Sequence, residues 1–150
     1  MAPDLTLRLL CLPGDGIGPE IIEATRQVVS VACAKAGVDL TLVEADIGFT
    51  ALKAKGTTIP DPVVVQAKIA DGVILGPVSH NSYPPRDAGG LNPSGILRTR
   101  LDLFANIRPA RSHPAVPTPT GVPVDLVVVR ENLEGFYADR NMHLGQGEFM

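Results

Sequence analysis

Apolar positions along this chain follow two rhythms that take turns. Thr6 to Leu12 is apolar and β-prone and predicts a strand. A loop, Pro13-Gly14-Asp15-Gly16-Ile17-Gly18, follows, and Pro19 suits the first turn of a helix, where its missing N–H costs nothing. Ile21, Ile22, Thr25, Val28, Val29 and Ala32 recur at helical spacing up to Ala36, and Gly37 is a good stop. Val38 to Ala45 predicts a second strand, Phe49 to Lys55 a short helix ended by Gly56, and Pro62 to Ile69 a third helix. Asp71 to Gly76 has the pattern of a short buried strand closed by Gly-Pro. Strands alternating with helices predict an α/β fold with a largely parallel sheet.

Val78 to Pro93 breaks the rhythm, and its Ser, Asn, Pro and Gly content predicts a long loop. Loops of that length are often functional. Ser94 is placed to cap a helix from Gly95 to about Phe104. Ala105 to Ala110 predicts a strand broken by Pro109, Pro114 to Pro123 a connector, and Asp125 to Arg130 a strongly apolar strand.

Composition narrows the function classes. The 150 residues are 45% hydrophobic and 19% charged, a globular balance able to bury one sizeable core. A net charge of −3 offers no broad basic surface, and aromatics at 4% offer no stacking surface, so no nucleic-acid partner is expected. No stretch approaches the roughly 20 apolar residues of a membrane span, and no signal-peptide layout opens the chain. Cys11 and Cys33 lack CxxC spacing and sit in apolar segments, which fits buried thiols and a cytoplasmic location.

Three segments carry candidate chemistry. Gly14-Asp15-Gly16-Ile17-Gly18-Pro19-Glu20 lies between a strand and a helix, where N–H groups and the helix dipole favour anions. Its third glycine comes one residue earlier than in G-x-G-x-x-G, so spacing alone favours a tight turn over a pyrophosphate cradle. Arg98, Arg100, Arg108 and Arg111 form a second group, and Arg130 ends a separate apolar strand. Arginine forks match carboxylates bidentately, and converging arginines suit a small polyanion. Taken alone, ordinary surface ion pairs account for such a set better. Arg130 opens the third segment, and Tyr137 closes it just past Gly135. A tyrosine beside cations can act as a general acid, although packing is the commoner fate of one. His80, His113 and His143 share no ligand spacing, and no metal ligand set is expected in this chain.

Taken together, the segments are more specific. Leu12-Pro13-Gly14-Asp15-Gly16-Ile17-Gly18-Pro19-Glu20 resembles the opening of the isopropylmalate/isocitrate dehydrogenase family of metal-dependent β-decarboxylating dehydrogenases. Leu97-Arg98-Thr99-Arg100 through Ile107-Arg108-Pro109 resembles its central motif, and Val129-Arg130-Glu131-Asn132 through Tyr137 its third. Order and spacing agree as well. The resemblance implies oxidation of a malate-type 2-hydroxy acid (isocitrate, isopropylmalate, homoisocitrate or tartrate) with hydride passing to NAD or NADP. Decarboxylation would follow with Mg²⁺ or Mn²⁺ as Lewis acid. Arg98, Arg108 and Arg130 match the arginines that clamp the substrate carboxylates, and Tyr137 matches the catalytic tyrosine. Gly76, Val78, Ser79 and Ile17 are expected near the nicotinamide. Asn92 and Ser94, ahead of Arg98, suggest a polar substrate side group, while Ile96 and Leu97 leave an apolar one open.

The family fold is α/β but not Rossmann: an isopropylmalate-dehydrogenase-like, two-domain fold. Residues 1–100 are expected to begin the large α/β domain and 101–150 the smaller central one, with the remainder of both absent. Family members run to more than twice this length and assemble as homodimers or higher homo-oligomers. Their metal-binding aspartates, catalytic lysine and most of their cofactor loop would fall beyond Met150. The isolated chain is therefore expected to be inactive. The alternative is a truncated, non-catalytic fragment that binds a polycarboxylate or a partner subunit.

Overall fold

Strand β1 (Thr6–Leu12) is the middle of a three-stranded parallel sheet in the computed structural model, which describes residues 5–134. It pairs with β2 (Asp39–Glu44) through Thr6↔Asp39 to Cys11↔Glu44, and with β3 (Gly72–Leu75) through Leu9↔Gly72 to Leu12↔Leu75. Parallel partners need crossovers, and helices supply them. Helix α1 (Gly18–Ala36) joins β1 to β2, and α2 (Gly48–Lys55) and α3 (Asp61–Ile69) join β2 to β3. Gly37 and Gly56 end α1 and α2 in the left-handed region, at φ 69° and 72°, as their sequence places predict.

The core follows the period of two along β1. Leu10 and Leu12 point to one face and pack with Ile47, Ile59, Val63, Val64, Ala67 and Leu97. The apolar stripe of α1 is different. Ile22 is buried and Arg26, Val29 and Cys33 along its face are half-buried, whereas Val28, on another face, is 69% exposed.

The long loop after β3 holds two single 3-10 turns, His80–Ser82 and Arg86–Ala88. Thr58 pins its far end. Its N–H donates to Gly89 O, its hydroxyl donates to Leu91 O at 2.6 Å, and Leu91 N–H donates back to that hydroxyl at 2.9 Å. Thr58 is wholly buried, so this exchange satisfies groups that would otherwise be costly to enclose.

Helix α4 (Pro93–Arg100) corrects two sequence expectations. Asn92, not Ser94, is its N-cap, accepting from Gly95 N–H at 3.3 Å, because Pro93 already occupies the first helical position. The helix also stops short of Phe104. Asp102 takes φ 56°, a left-handed conformation that ends a right-handed helix.

The chain divides into two compact units, Met1–Leu101 and Asp102–Met150. In the second, β4 (Ala105–Arg111) and β5 (Asp125–Glu131) form an antiparallel ribbon running from Ala105↔Glu131 to Arg111↔Asp125. Pro109 does not break β4, contrary to its sequence reading. Ser112 N–H donates to Val124 O one step beyond the ladder, which makes 112 and 124 a hydrogen-bonded pair. Such pairs alternate, so Pro109↔Val127 falls at a position where no N–H is needed.

Candidate functional site

The ribbon register decides which side chains share a face. Facing pairs project to the same side, and sides alternate along each strand. Asn106, Arg108, Val128 and Arg130 therefore share one face, with Arg108 diagonal to Arg130 across the Arg108↔Val128 pair. Ile107, Pro109, Val127 and Val129 share the other. One face thus carries the arginine pair, and the other is apolar at its centre with Glu131 at one end and the Arg111–Asp125 ion pair at the other.

Each of these arginines touches an asparagine two positions away in its own chain direction. Arg108 Nε donates to Asn106 Oδ1 at 2.8 Å, and an Arg130 Nη donates to Asn132 Oδ1 at 3.2 Å. Asn132 is buried, and its Nδ2 donates to Leu103 O at 2.9 Å. Side-chain contacts of this kind hold a guanidinium plane before a ligand arrives. Glu131, pointing to the other face, accepts from the N–H groups of Leu133, Glu134 and Asn132. Those three bonds hold its carboxyl below the usual carboxylate range. Sequence reading gave no role to Asn106, Glu131 or Asn132. The signal for the asparagines was the spacing of two from an arginine within a strand pattern.

In the first unit, Arg98 and Ser94 are four apart on α4 and so share a helix face. Arg100 lies off that face and pairs with Asp61 at 3.5 Å. Ser94 is exposed. Asn92 is exposed too, and its oxygen is engaged in the cap. Leu97 is buried in the core and Ile96 packs against it. Tyr137 lies outside the described residues.

The Gly14–Gly18 turn holds a carboxylate that sequence reading passed over. Asp15 is buried, and its Oδ1 accepts from Phe49 N–H at 2.8 Å while Oδ2 accepts from Ser79 N–H at 2.9 Å and from the Tyr83 hydroxyl. Burial pushes the Asp15 carboxyl up, but the three donors outweigh it and hold the group below its ordinary value. The Tyr83 phenol moves the other way, raised by burial and then by the Asp15 carboxylate it donates to. Ile47, the N-cap of α2, supplies no side-chain cap, so Asp15 satisfies one of that helix's open N–H groups. The turn thus contributes an anion of its own, which takes donors from α2 and from the loop after β3.

Close backbone approach explains the glycines here. A Cβ on Gly18 would lie 1.9 Å from Pro13 O, and one on Gly76 would lie 2.1 Å from the same oxygen. Of the residues expected near a nicotinamide, Gly76 is therefore buried under the turn, and Val78 packs on the core. Ile17 and Ser79 are exposed. Among the described residues, no group of three or more His, Cys, Asp or Glu converges as a metal site, and no helix is long and apolar enough to cross a membrane.

Comparison with known proteins agrees with this architecture. The family model described as "Isocitrate/isopropylmalate dehydrogenase" matches residues 8–148. Isocitrate/homoisocitrate dehydrogenase of Thermus thermophilus is 36% identical over 137 residues, covering 91% of this chain and 38% of the relative. 3-Isopropylmalate dehydrogenase of Thermobifida fusca is 35% identical over 148 residues, covering 95% and 41%. The crystal structure of isocitrate dehydrogenase from Methylococcus capsulatus superposes with a TM-score of 0.70 at 33% identity, covering 88% of this chain and 36% of that one. The chain thus spans well under half the length of the relatives it matches.

Proposed function

This chain belongs to the isocitrate/isopropylmalate dehydrogenase family, and we propose that it supplies the carboxylate clamp of a β-decarboxylating dehydrogenase acting on a malate-type 2-hydroxy acid. The observation that carries this reading is the shared ribbon face of Arg108 and Arg130, each steadied by its asparagine. Two fixed guanidinium groups on one surface suit a ligand with more than one carboxylate. Arg98, which shares a face of α4 with Ser94, is also assigned to carboxylate binding.

The substrate we favour has a polar side group, of the isocitrate, homoisocitrate or tartrate kind. Three side chains support that choice. Leu97 is committed to the core with Ile96 against it, and Ser94 presents a hydroxyl on the same helix face as Arg98. An isopropyl group would find less apolar surface on α4.

Hydride acceptance belongs to NAD or NADP, with Ile17 and Ser79 as the nicotinamide-facing residues and the Gly76 and Val78 backbone behind them. The described residues do not offer a metal ligand set. We therefore assign the Mg²⁺ or Mn²⁺ of this reaction class, and the proton donor Tyr137, to groups outside them. Free thiols at Cys11 and Cys33 accord with a reducing, cytoplasmic setting, and the exposed apolar ribbon face accords with a homodimer or larger homo-oligomer.

Titration of the chain with isocitrate and with isopropylmalate tests the clamp. Arg108→Ala is expected to weaken binding about 10- to 100-fold, the usual scale for a charge-assisted bond. Arg26→Ala, whose guanidinium pairs with Glu44 at 2.7 Å, is expected to bind as the unaltered chain does. Equal affinities in both variants would remove the clamp. A second reading, binding without turnover, is in keeping with the described residues, which hold no metal ligand set, and predicts no NADH or NADPH formation by this chain alone.

A further inference from the structure

We infer that Asp15 is a positioning residue for the segment after β3, holding Val78–Tyr83 in the shape in which Ser79 is presented to a dinucleotide. The dinucleotide part rests on the reading above; the positioning stands on contacts within the first unit.

Asp15 is itself fixed from both sides. Its N–H donates to Pro77 O at 2.8 Å, and its carbonyl accepts from Gly18 N–H at 2.9 Å. The carboxylate therefore leaves a rigid turn in one direction. It collects three donors from two segments far from it in sequence: they lie 34, 64 and 68 residues away. An ionised carboxylate is acceptor-only, so all three donors are compatible with it at once.

The surroundings are built around that group. Gly48 stands against it at φ 71°, and a Cβ there would lie 2.3 Å from Asp15 Oδ1. The Tyr83 ring meets Phe49 edge-on, with centroids 5.0 Å apart and planes at 84°, so the phenol is aimed as well as bonded. Phe49 N–H and the Phe49 ring thus both serve the same junction. Asparagine has nearly the same shape as aspartate but replaces one oxygen with a donor. In its place, an NH₂ would face an N–H or a hydroxyl, and at least one of the three bonds would fail. The Tyr83 hydroxyl oxygen also lies against Ser79 N–H, so loss of the carboxylate contact would leave that amide only this weaker partner and loosen its loop.

The test uses the whole chain with Asp15→Asn and Tyr83→Phe, following amide hydrogen exchange residue by residue. In Asp15→Asn the single amide oxygen can keep the Ser79 and Tyr83 donors or the Phe49 donor, so exchange is expected to quicken tenfold or more at Ser79 or at Phe49 while Leu10 and Leu12 in β1 keep their protection. Unchanged exchange at both amides would overturn the inference. Should Asp15→Asn fail to fold, Tyr83→Phe decides. It leaves the carboxylate in place but removes one donor, and severalfold faster exchange at Ser79 supports the inference, whereas unaltered exchange defeats it. In a Tyr137→Phe background, phenolate absorption reports Tyr83 alone, and its ionisation is expected at lower pH once Asp15 is asparagine; an unmoved titration counts against the coupling. Titration with NADH separates the two ideas. If the unaltered chain does not bind NADH yet Ser79 exchange responds to Asp15→Asn, positioning stands and the dinucleotide reading falls.

Discussion

Asp15 shows at the scale of one residue how burial and hydrogen bonding compete. Its folded-state carboxyl lies below the unfolded value of about 3.9, because its three donors outweigh the effect of burial. A depressed carboxylate stabilises the fold above the unfolded value, and that contribution is lost as pH falls through the folded one. Urea unfolding of Asp15→Asn against the unaltered chain should therefore show a deficit near neutral pH that narrows below about pH 4. A deficit constant with pH would mean that shape, not charge, is what the site needs. Gly18 makes a steric case. Gly18→Ala forces a Cβ onto the Pro13 carbonyl, and a loss of about 2–4 kcal/mol is expected in the same assay. Gly16→Ala meets no neighbour within 4 Å and should cost about 1–2 kcal/mol, from its left-handed φ of 57° alone. The sequence made the turn legible through its glycines. It did not make Asp15 legible, since its donors come from Phe49, Ser79 and Tyr83, which no local pattern joins to it.

At the scale of elements, periodicity and terminators carried well. β1 starts and ends where its apolar run does, and the glycines after α1 and α2 stop them as expected. The errors fell where two residues compete for one role. Ser94 and Asn92 are both good caps, and Pro93 between them settled the matter by taking the first helical position. Asn92→Ala should thus lower stability by about 1 kcal/mol, with Ser94→Ala near zero, measured by thermal or urea unfolding. The reverse order would restore Ser94 as the cap. Pro109 was misread for a related reason: whether a proline breaks a strand depends on the hydrogen-bond parity of its position, which belongs to the pair and not to β4 alone. The same register brought Arg108 and Arg130 onto one face. Sequence gave the two arginines as members of a motif; only pairing gave them a common surface.

At the scale of the whole molecule, the exposed apolar area is the main feature. Ile107, Val127 and Val129 are each more than half exposed on one ribbon face, and a two-stranded ribbon with an open apolar side is marginal in water. Concentration-dependent association is expected in sedimentation velocity, and Val129→Lys should shift the distribution toward monomer. Association unaltered by that change would place the contact elsewhere, as on the exposed Val28 and Val31 of α1. This exposure was not legible in the sequence. An apolar run such as Leu126–Val129 predicts burial, and a periodicity argument contains no information about what does the burying.

The order of strands in the first sheet has a consequence for biosynthesis. β1 is central, yet both of its partners come later in the chain, β3 roughly 60 residues later. At a synthesis rate of about 5–20 residues per second, β1 leaves the ribosome roughly 3–12 s before the second partner exists. Through that interval the strand that will hold the deepest side chains has an unsatisfied edge, open to other nascent chains. Factors that shield emerging apolar segments would find their target in Thr6–Leu12, and slowing translation between Lys55 and Gly72 should raise the aggregated fraction.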